Sequence, residues 1–105
     1  MRKIERQMNE AIRTGRNFSS SNTMVKHFGK DTEVFLHGNH IATVTDNALT
    51  LFDGGWQSNT TKSRLNALLD EFSYGMRVFQ KNFEWFVGYK NLCEDFVNGF
   101  ELGLS

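Results

Sequence analysis

The stretch from residue 23 to residue 52 constrains the fold most, because turns of two or three residues divide it into four short segments. Three turn sequences separate the segments 23–28, 32–37, 40–45 and 48–52: Gly29-Lys30-Asp31, Gly38-Asn39 and Asp46-Asn47. Antiparallel strands can be joined by two residues, whereas parallel strands need a crossover of a dozen or more. The stretch therefore predicts an antiparallel β-meander.

Two helices flank this meander. Each has its apolar residues at helical spacing on one stripe: Ile4, Met8, Ala11 and Ile12 within 2–13, and Leu65, Leu68, Leu69 and Phe72 within 60–73. Gly15 and Gly75 are the expected helix ends, because glycine favours the left-handed conformation there. Residues 17–22 form a polar loop between the first helix and the meander.

The rest of the chain predicts another strand pair, 76–80 and 83–87, around Lys81-Asn82. The order is helix, four strands, helix, two strands and tail. We expect an α+β fold: an antiparallel β-meander with the N-terminal and the central helix packed on one face. A chain of 105 residues predicts a single domain, 1–105.

The tail, Leu92 to Ser105, is too apolar to remain in water. We expect it to add an edge strand, pack as a short helix, or be buried against a partner. Alternation in 83–87 sends Phe83, Trp85 and Val87 to one side of the sheet and Phe86 to the other. The predicted partner-binding residues are aromatic: Phe86, Tyr89, Phe96 and Phe100.

Charge is unevenly distributed although the formal net charge is zero. Residues 1–30 hold seven Lys or Arg against two Glu, and residues 31–105 hold five against ten acidic residues. Such asymmetry can mark a basic arm, but we favour the explanation that it helps the two halves pack or sets the orientation of a homodimer. Cys93 is the sole cysteine, so no intramolecular disulfide is expected. No apolar run is long enough for a membrane span.

The block from Gly54 to Arg64 is the strongest candidate for a ligand site. Small polar residues and two cations precede a helix, where backbone N–H groups can hold an anion. The predicted ligand-binding residues are Trp56, Asn59, Thr60, Thr61, Lys62 and Arg64, with Trp56 as a stacking platform. The alternative has Trp56 in the core, Asn59 or Thr60 as the helix cap, and both cations in water.

Metal and catalytic sites are not expected. His37 and His40 would face each other across the Gly38-Asn39 turn, but zinc normally takes three or four protein ligands. No nucleophile-elbow or P-loop sequence is present, and the carboxylates near Cys93 disfavour an activated thiolate. We therefore expect a protein that is not an enzyme and needs no cofactor.

Several segments together resemble a family of small proteins encoded by tailed bacteriophages. The resemblance covers about residues 2–88 and rests on four blocks: Asn22-Thr23-x-Val25; Val34-Phe35-Leu36-His37-Gly38-Asn39 with Ile41-Ala42; Gly55-Trp56-Gln57-Ser58-Asn59-Thr60-Thr61-Lys62-Ser63-Arg64-Leu65-Asn66-Ala67-Leu68-Leu69; and Glu84-Trp85-Phe86. By analogy, it implies an accessory protein that binds and modulates a host protein in the infected cell's cytoplasm, in host takeover or anti-defence. The alternative is a nucleotide, anion or nucleic-acid binder that uses Trp56–Arg64.

Overall fold

The computed structural model describes residues 1–89 and 92–104, so Ser105 of the predicted tail lies outside the described residues. Within them the elements are α1 (Lys3–Thr14), β1 (Phe18–Ser20), β2 (Thr23–Phe28), β3 (Asp31–Leu36), β4 (Asn39–Val44), β5 (Ala48–Leu51), α2 (Asn59–Phe72), β6 (Arg77–Lys81), β7 (Glu84–Tyr89), β8 (Leu92–Asp95) and β9 (Phe100–Gly103). The predicted α+β class with an antiparallel meander is confirmed.

The meander forms a six-stranded antiparallel sheet in the order β1-β2-β3-β4-β5-β9. Its register sets Val25 opposite Val34, Val34 opposite Ala42, and Ala42 opposite Leu51, and all four side chains are fully buried. This apolar row is one face of the sheet, since side chains alternate along a strand. Helix α1 contacts β1 and β2, and α2 contacts β4; the helices thus enclose the core.

Strand β1 was not predicted, because residues 17–22 are mostly small and polar. It pairs with β2, with Phe18 opposite Val25, and Ser21 takes a left-handed conformation in the turn between them. The pairing partner thus imposes a strand on a segment with weak propensity of its own.

The turn between β3 and β4 lies at His37-Gly38, one residue before the predicted Gly38-Asn39. Both turn residues have positive φ, 52° and 79°, as a type I′ hairpin turn requires. Asn39 therefore lies in β4, opposite Leu36. The same kind of shift places Asn82 and Phe83 in the β6–β7 turn, where Phe83 is 92% exposed and not part of the predicted strand 83–87.

The two helices pack in parallel, so that both begin at the same end of the molecule. Contacts between them recur about once per turn: Glu5 with Arg64, Asn9 with Ala67, and Arg13 with Glu71. Gly15 ends α1 as predicted, with a φ of 71°. The prediction that Gly75 caps α2 is wrong, since the N–H and hydroxyl of Ser73 already bind the Leu69 carbonyl.

The tail joins two sheets rather than forming one edge strand. Strand β8 adds to β7 in a second, three-stranded sheet of order β6-β7-β8, while β9 pairs with β5 in the first sheet. Between these strands Phe96 packs edge-on against Trp85, with ring centroids 5.5 Å apart. The tail thereby connects the two sheets through both backbone pairing and core contacts.

Candidate functional site

The loop between β5 and α2 fixes the main chain of Trp56. The Trp56 N–H donates to the Asp53 carbonyl at 3.2 Å, and the Trp56 carbonyl accepts from the Ser58 N–H at 3.0 Å and the Thr61 hydroxyl at 3.1 Å. The indole is nevertheless 73% exposed. The alternative in which Trp56 packs in the core is therefore wrong.

Helix α2 is capped by Ser58, not by Asn59 or Thr60. The Ser58 hydroxyl accepts the Thr61 N–H at 3.1 Å, which satisfies one of the free donors of the first turn. Asn59 is exposed and Thr60 half-buried. Thr61 is buried and its hydroxyl is already bonded, so it shapes the site without presenting a polar group to it.

The predicted ligand residues divide between two clefts, one on each side of the first turn of α2. Trp56, Thr60 and Thr61 line a cleft of about 410 Å³ that opens towards the β3–β4 turn; we call it the indole cleft. Asn59 and Lys62 line a cleft of about 630 Å³ between the N-terminal ends of α1 and α2; we call it the interhelix cleft.

Arg64 lies in neither cleft, and the prediction that it binds a ligand needs correction. Its guanidinium is 3% exposed and pairs with the Glu5 carboxylate at 2.8 Å. It also donates to the Thr23 hydroxyl at 2.9 Å and to the Asn22 side-chain oxygen at 3.2 Å. Arg64 thus joins both helices to the sheet, and the alternative that it points to water is equally wrong.

The Glu5 carboxylate completes this buried network. It accepts hydrogen bonds from the Ser63 hydroxyl, the Arg2 backbone N–H and Arg64. Burial raises the pKa of Glu5, but these three hydrogen bonds and the charge of Arg64 outweigh burial, so the pKa is lowered overall. The carboxylate is consequently held ionised as a structural anion.

The spacing of apolar residues in the two helices could have identified Glu5 and Arg64 as buried charges. Arg64 precedes Leu68 by four residues, and Glu5 precedes Met8 by three, so each lies on the apolar stripe of its helix. A charged residue on such a stripe needs an opposite charge when buried. The sequence could not show that these two residues are each other's partner.

The histidines do not face each other. His37 lies in the β3–β4 turn, whereas His40 is opposite Phe35 and packs between the rings of Phe35 and Phe52, at centroid distances of 5.6 and 4.6 Å. The Nε2 atom of His40 is 2.8 Å from the Thr43 hydroxyl. Over residues 1–89 and 92–104, no group of three or more His, Cys, Asp or Glu could hold a metal ion.

The four predicted partner-binding residues occupy different environments. Phe96 is only 9% exposed, so the prediction that this ring binds a partner is corrected. Phe100 is half-buried against the core, and its part in partner binding stays a prediction. Tyr89 is 40% exposed, and its ring lies over Gly75. Phe86 is half-buried on the outer side of the second sheet.

Phe86 belongs to a surface that the sequence did not outline. Phe79 stacks against it across the β6–β7 pair at a centroid distance of 5.7 Å. On the same side, a Cβ atom at Gly88 would lie 3.1 Å from the Phe79 ring and 2.9 Å from the Cys93 Cβ. We call Phe79, Phe86, Gly88 and Cys93 the aromatic face.

The two edge strands of the second sheet differ at Val78, where a side chain of α2 binds the backbone of β6. On β6, the Asn66 side chain of α2 donates to the Val78 carbonyl at 2.9 Å and accepts the Val78 N–H at 2.7 Å. This amide makes at Val78 the two hydrogen bonds that a neighbouring strand would make. Strand β8 is the other edge of the sheet, and its residues are exposed throughout Leu92–Asp95.

Neither helix in the described part of the chain is long and apolar enough to cross a membrane.

Comparisons with known proteins place the chain in a family. No curated protein matches the chain, and no solved structure matches it. The family model described as "Kyanoviridae Gp96 protein" matches residues 1–103. The chain therefore belongs to this family of tailed-phage proteins, as its resemblance to phage proteins indicated.

Proposed function

We propose that this phage protein binds and modulates a host protein through the open edge of β8 and the adjoining aromatic face. The observation that carries the proposal is the contrast between the two edges of the second sheet. Asn66 hydrogen-bonds both backbone groups of Val78 on β6, while β8 is an exposed edge. An open strand is a template for an added strand.

The aromatic face supplies the apolar part of such an interface. Phe79 is 37% exposed beside the half-buried Phe86, and the lack of a side chain at the buried Gly88 lets Phe79 and Cys93 lie close to its backbone. Aromatic residues are enriched in protein interfaces because they bury large areas at low entropic cost. A strand added to β8 would extend the sheet next to this face.

Charge favours a basic partner segment over a second copy of this chain. Glu94 and Asp95 are exposed on β8, and Glu84 is exposed on β7. Pairing β8 with another β8 would gather the Glu94 and Asp95 carboxylates of both copies along one short ladder, and like charges at close range destabilise strand pairs. The proposed occupant is therefore an extended host segment that carries Lys or Arg beside an apolar residue.

In this proposal the protein has no catalytic step and no cofactor, and it acts in the cytoplasm of the infected host. Host takeover and anti-defence are both served by such binding. The competing hypothesis is a homo-oligomer, in which the basic first part of one copy pairs with the acidic part of another. Light scattering over a concentration series separates that outcome from partner binding.

The sole cysteine provides a direct test. Cys93 is exposed on the aromatic face, so a thiol-reactive photo-crosslinker can be attached there alone. The labelled protein is irradiated in host lysate, the captured protein is identified by mass spectrometry, and the purified pair is then titrated by calorimetry. We expect a stoichiometric complex with a host protein.

Charge reversal on β8 provides the control for specificity. Glu94→Lys with Asp95→Lys should weaken binding by about tenfold or more, which corresponds to about 1.4 kcal/mol. Glu101→Lys reverses a single charge at an exposed position of β9 in the first sheet and should leave binding intact. If only a second copy is captured, or if both sets of variants bind equally, the proposal is wrong.

A further inference from the structure

Trp56 has an unusual combination of a fixed backbone and an exposed side chain. Its main chain makes hydrogen bonds to Asp53, Ser58 and Thr61, yet its indole is 73% exposed. The other tryptophan, Trp85, is 4% exposed. An exposed indole on a hydrogen-bonded main chain can stack on a planar ring without the entropic cost of ordering a loop.

The indole cleft beside Trp56 suits an uncharged planar group. Its volume of about 410 Å³ lies within the usual range for ligand pockets. Leu36 and Ile41, both almost fully buried, form its apolar part. Asp53 also lines the cleft, and its carboxylate disfavours a phosphate there. A nucleobase is a planar group of this kind.

The interhelix cleft has the opposite electrostatic character. Glu5 is paired with Arg64, and Asp70 with Arg77 at 3.0 Å, so both acidic residues lining the cleft are already neutralised. The ion pairs made by the described residues include neither Arg2 nor Lys62. Arg2 and Lys62 therefore give this cleft of about 630 Å³ a net positive charge.

The two clefts adjoin each other at the first turn of α2. Asn59 lines the interhelix cleft, and the next residue, Thr60, lines the indole cleft. One ligand can therefore reach both by crossing a single helical turn. We infer that the protein binds a nucleotide unit at this end of α2, with its base stacked on Trp56 and its phosphate held by Arg2 and Lys62.

The nucleotide unit has two sources, a free nucleotide or single-stranded nucleic acid, and the test compares them. A ten-residue oligothymidylate and thymidine monophosphate are titrated at low and high salt, and tryptophan fluorescence is recorded. Because Trp85 is buried, quenching by a stacked base reports on Trp56. Tighter binding of the oligomer indicates nucleic acid, and equal affinity indicates the free nucleotide.

Matched variants test the two halves of the site. Trp56→Leu, measured by calorimetry because it lacks the reporting indole, should weaken binding about 5- to 150-fold, the effect expected for loss of one stacked base. Tyr74→Leu is the aromatic control, because Tyr74 is 90% exposed just beyond the opposite end of α2. Tyr74→Leu should bind as the wild type does.

Arg2→Gln with Lys62→Gln should weaken binding and flatten its salt dependence, since fewer counterions are then released. Lys30→Gln is the charge control, because Lys30 is exposed in the β2–β3 turn, at the opposite end of β3 from His37. The inference is overturned if neither ligand binds at low salt, if Trp56→Leu binds normally, or if Lys30→Gln weakens binding as much as the double variant Arg2→Gln with Lys62→Gln. These outcomes do not depend on the aromatic face.

Discussion

Replacing Arg64 with methionine should be among the most damaging single changes in the chain. The substitution keeps a long apolar stem but removes hydrogen bonds to Glu5, Thr23 and Asn22. Glu5 would then remain buried without a counterion, and breaking a buried ion pair in this way costs about 3–5 kcal/mol. A domain of this size has a free energy of unfolding of about 5–15 kcal/mol.

A double-mutant cycle separates the interaction free energy of the Glu5–Arg64 pair from general destabilisation of the core. Glu5→Leu with Arg64→Met removes both charges and replaces them with apolar side chains of similar volume. Such replacement of a buried pair is often neutral or stabilising, so the double variant should be more stable than Arg64→Met alone by about 2 kcal/mol or more. Urea unfolding at neutral pH measures each free energy.

The surface pair between Arg13 and Glu71 is the matched control. It joins the same two helices at 3.2 Å, but its side chains are 48% and 29% exposed. Arg13→Met should therefore cost less than about 1 kcal/mol. The reasoning fails if Arg64→Met costs as little as Arg13→Met, or if the costs of Glu5→Leu and Arg64→Met simply add.

The pH dependence of stability provides an independent check on the same network. The pKa of Glu5 is lowered in the folded protein, so its contribution to stability is present above its unfolded pKa of about 4.5 and is lost as the pH falls through the folded value. In Arg64→Met the carboxylate stays buried without its cation, which raises its folded pKa. The stability lost in Arg64→Met should therefore be largest at neutral pH and should shrink as the pH falls and Glu5 takes up a proton. Urea unfolding of both proteins at a series of pH values measures this loss, and a loss that is the same at every pH would contradict this account.

Three further changes test the packing. Leu68→Ala, at a fully buried position of α2, should lower the free energy of unfolding by about 2–5 kcal/mol in urea titration, and a loss well under 1 kcal/mol would mean that this face is not core. Gly88→Ala places a Cβ 2.8 Å from the Leu92 carbonyl and should cost about 1–3 kcal/mol; Gly103→Ala, with open space around it, should cost less, and equal thermal shifts would refute the contact. Deleting 92–105 removes β8 and β9 and should lower the melting temperature or change the particle size measured by light scattering. If neither quantity changes, the tail adds nothing to either sheet.

Local patterns predicted most elements because each pattern has a short-range physical cause. The apolar stripe around Leu65 and Leu68 could form only an amphipathic helix, and closely spaced turns left only antiparallel pairing for the meander. Turn positions were wrong by one residue at His37-Gly38 and Asn82-Phe83. Positive φ is tolerated by His, Asn and even Phe when the flanking strands determine the register.

The candidate site could be predicted only in part. A polar block before a helix indicated surface chemistry, and Trp56, Asn59 and Lys62 do line clefts beside that helix. Arg64 is in the same block, but it faces inward because its partner Glu5 comes from the other helix. Side-chain direction at the end of a helix depends on what packs against it, and that partner is 59 residues away in sequence.

The sequence by itself determined the two amphipathic helices, the antiparallel meander and membership of a phage protein family, because these depend on local periodicity and on motif identity. Only the tertiary structure decided that the tail divides between two sheets, that Phe96 and Phe100 pack against the core, and that Arg64 is buried while Trp56 is exposed. Each of these outcomes depends on contacts between distant segments. The free energies of these contacts depend on which surfaces pack together and exclude water, and no local sequence pattern specifies which surfaces those are.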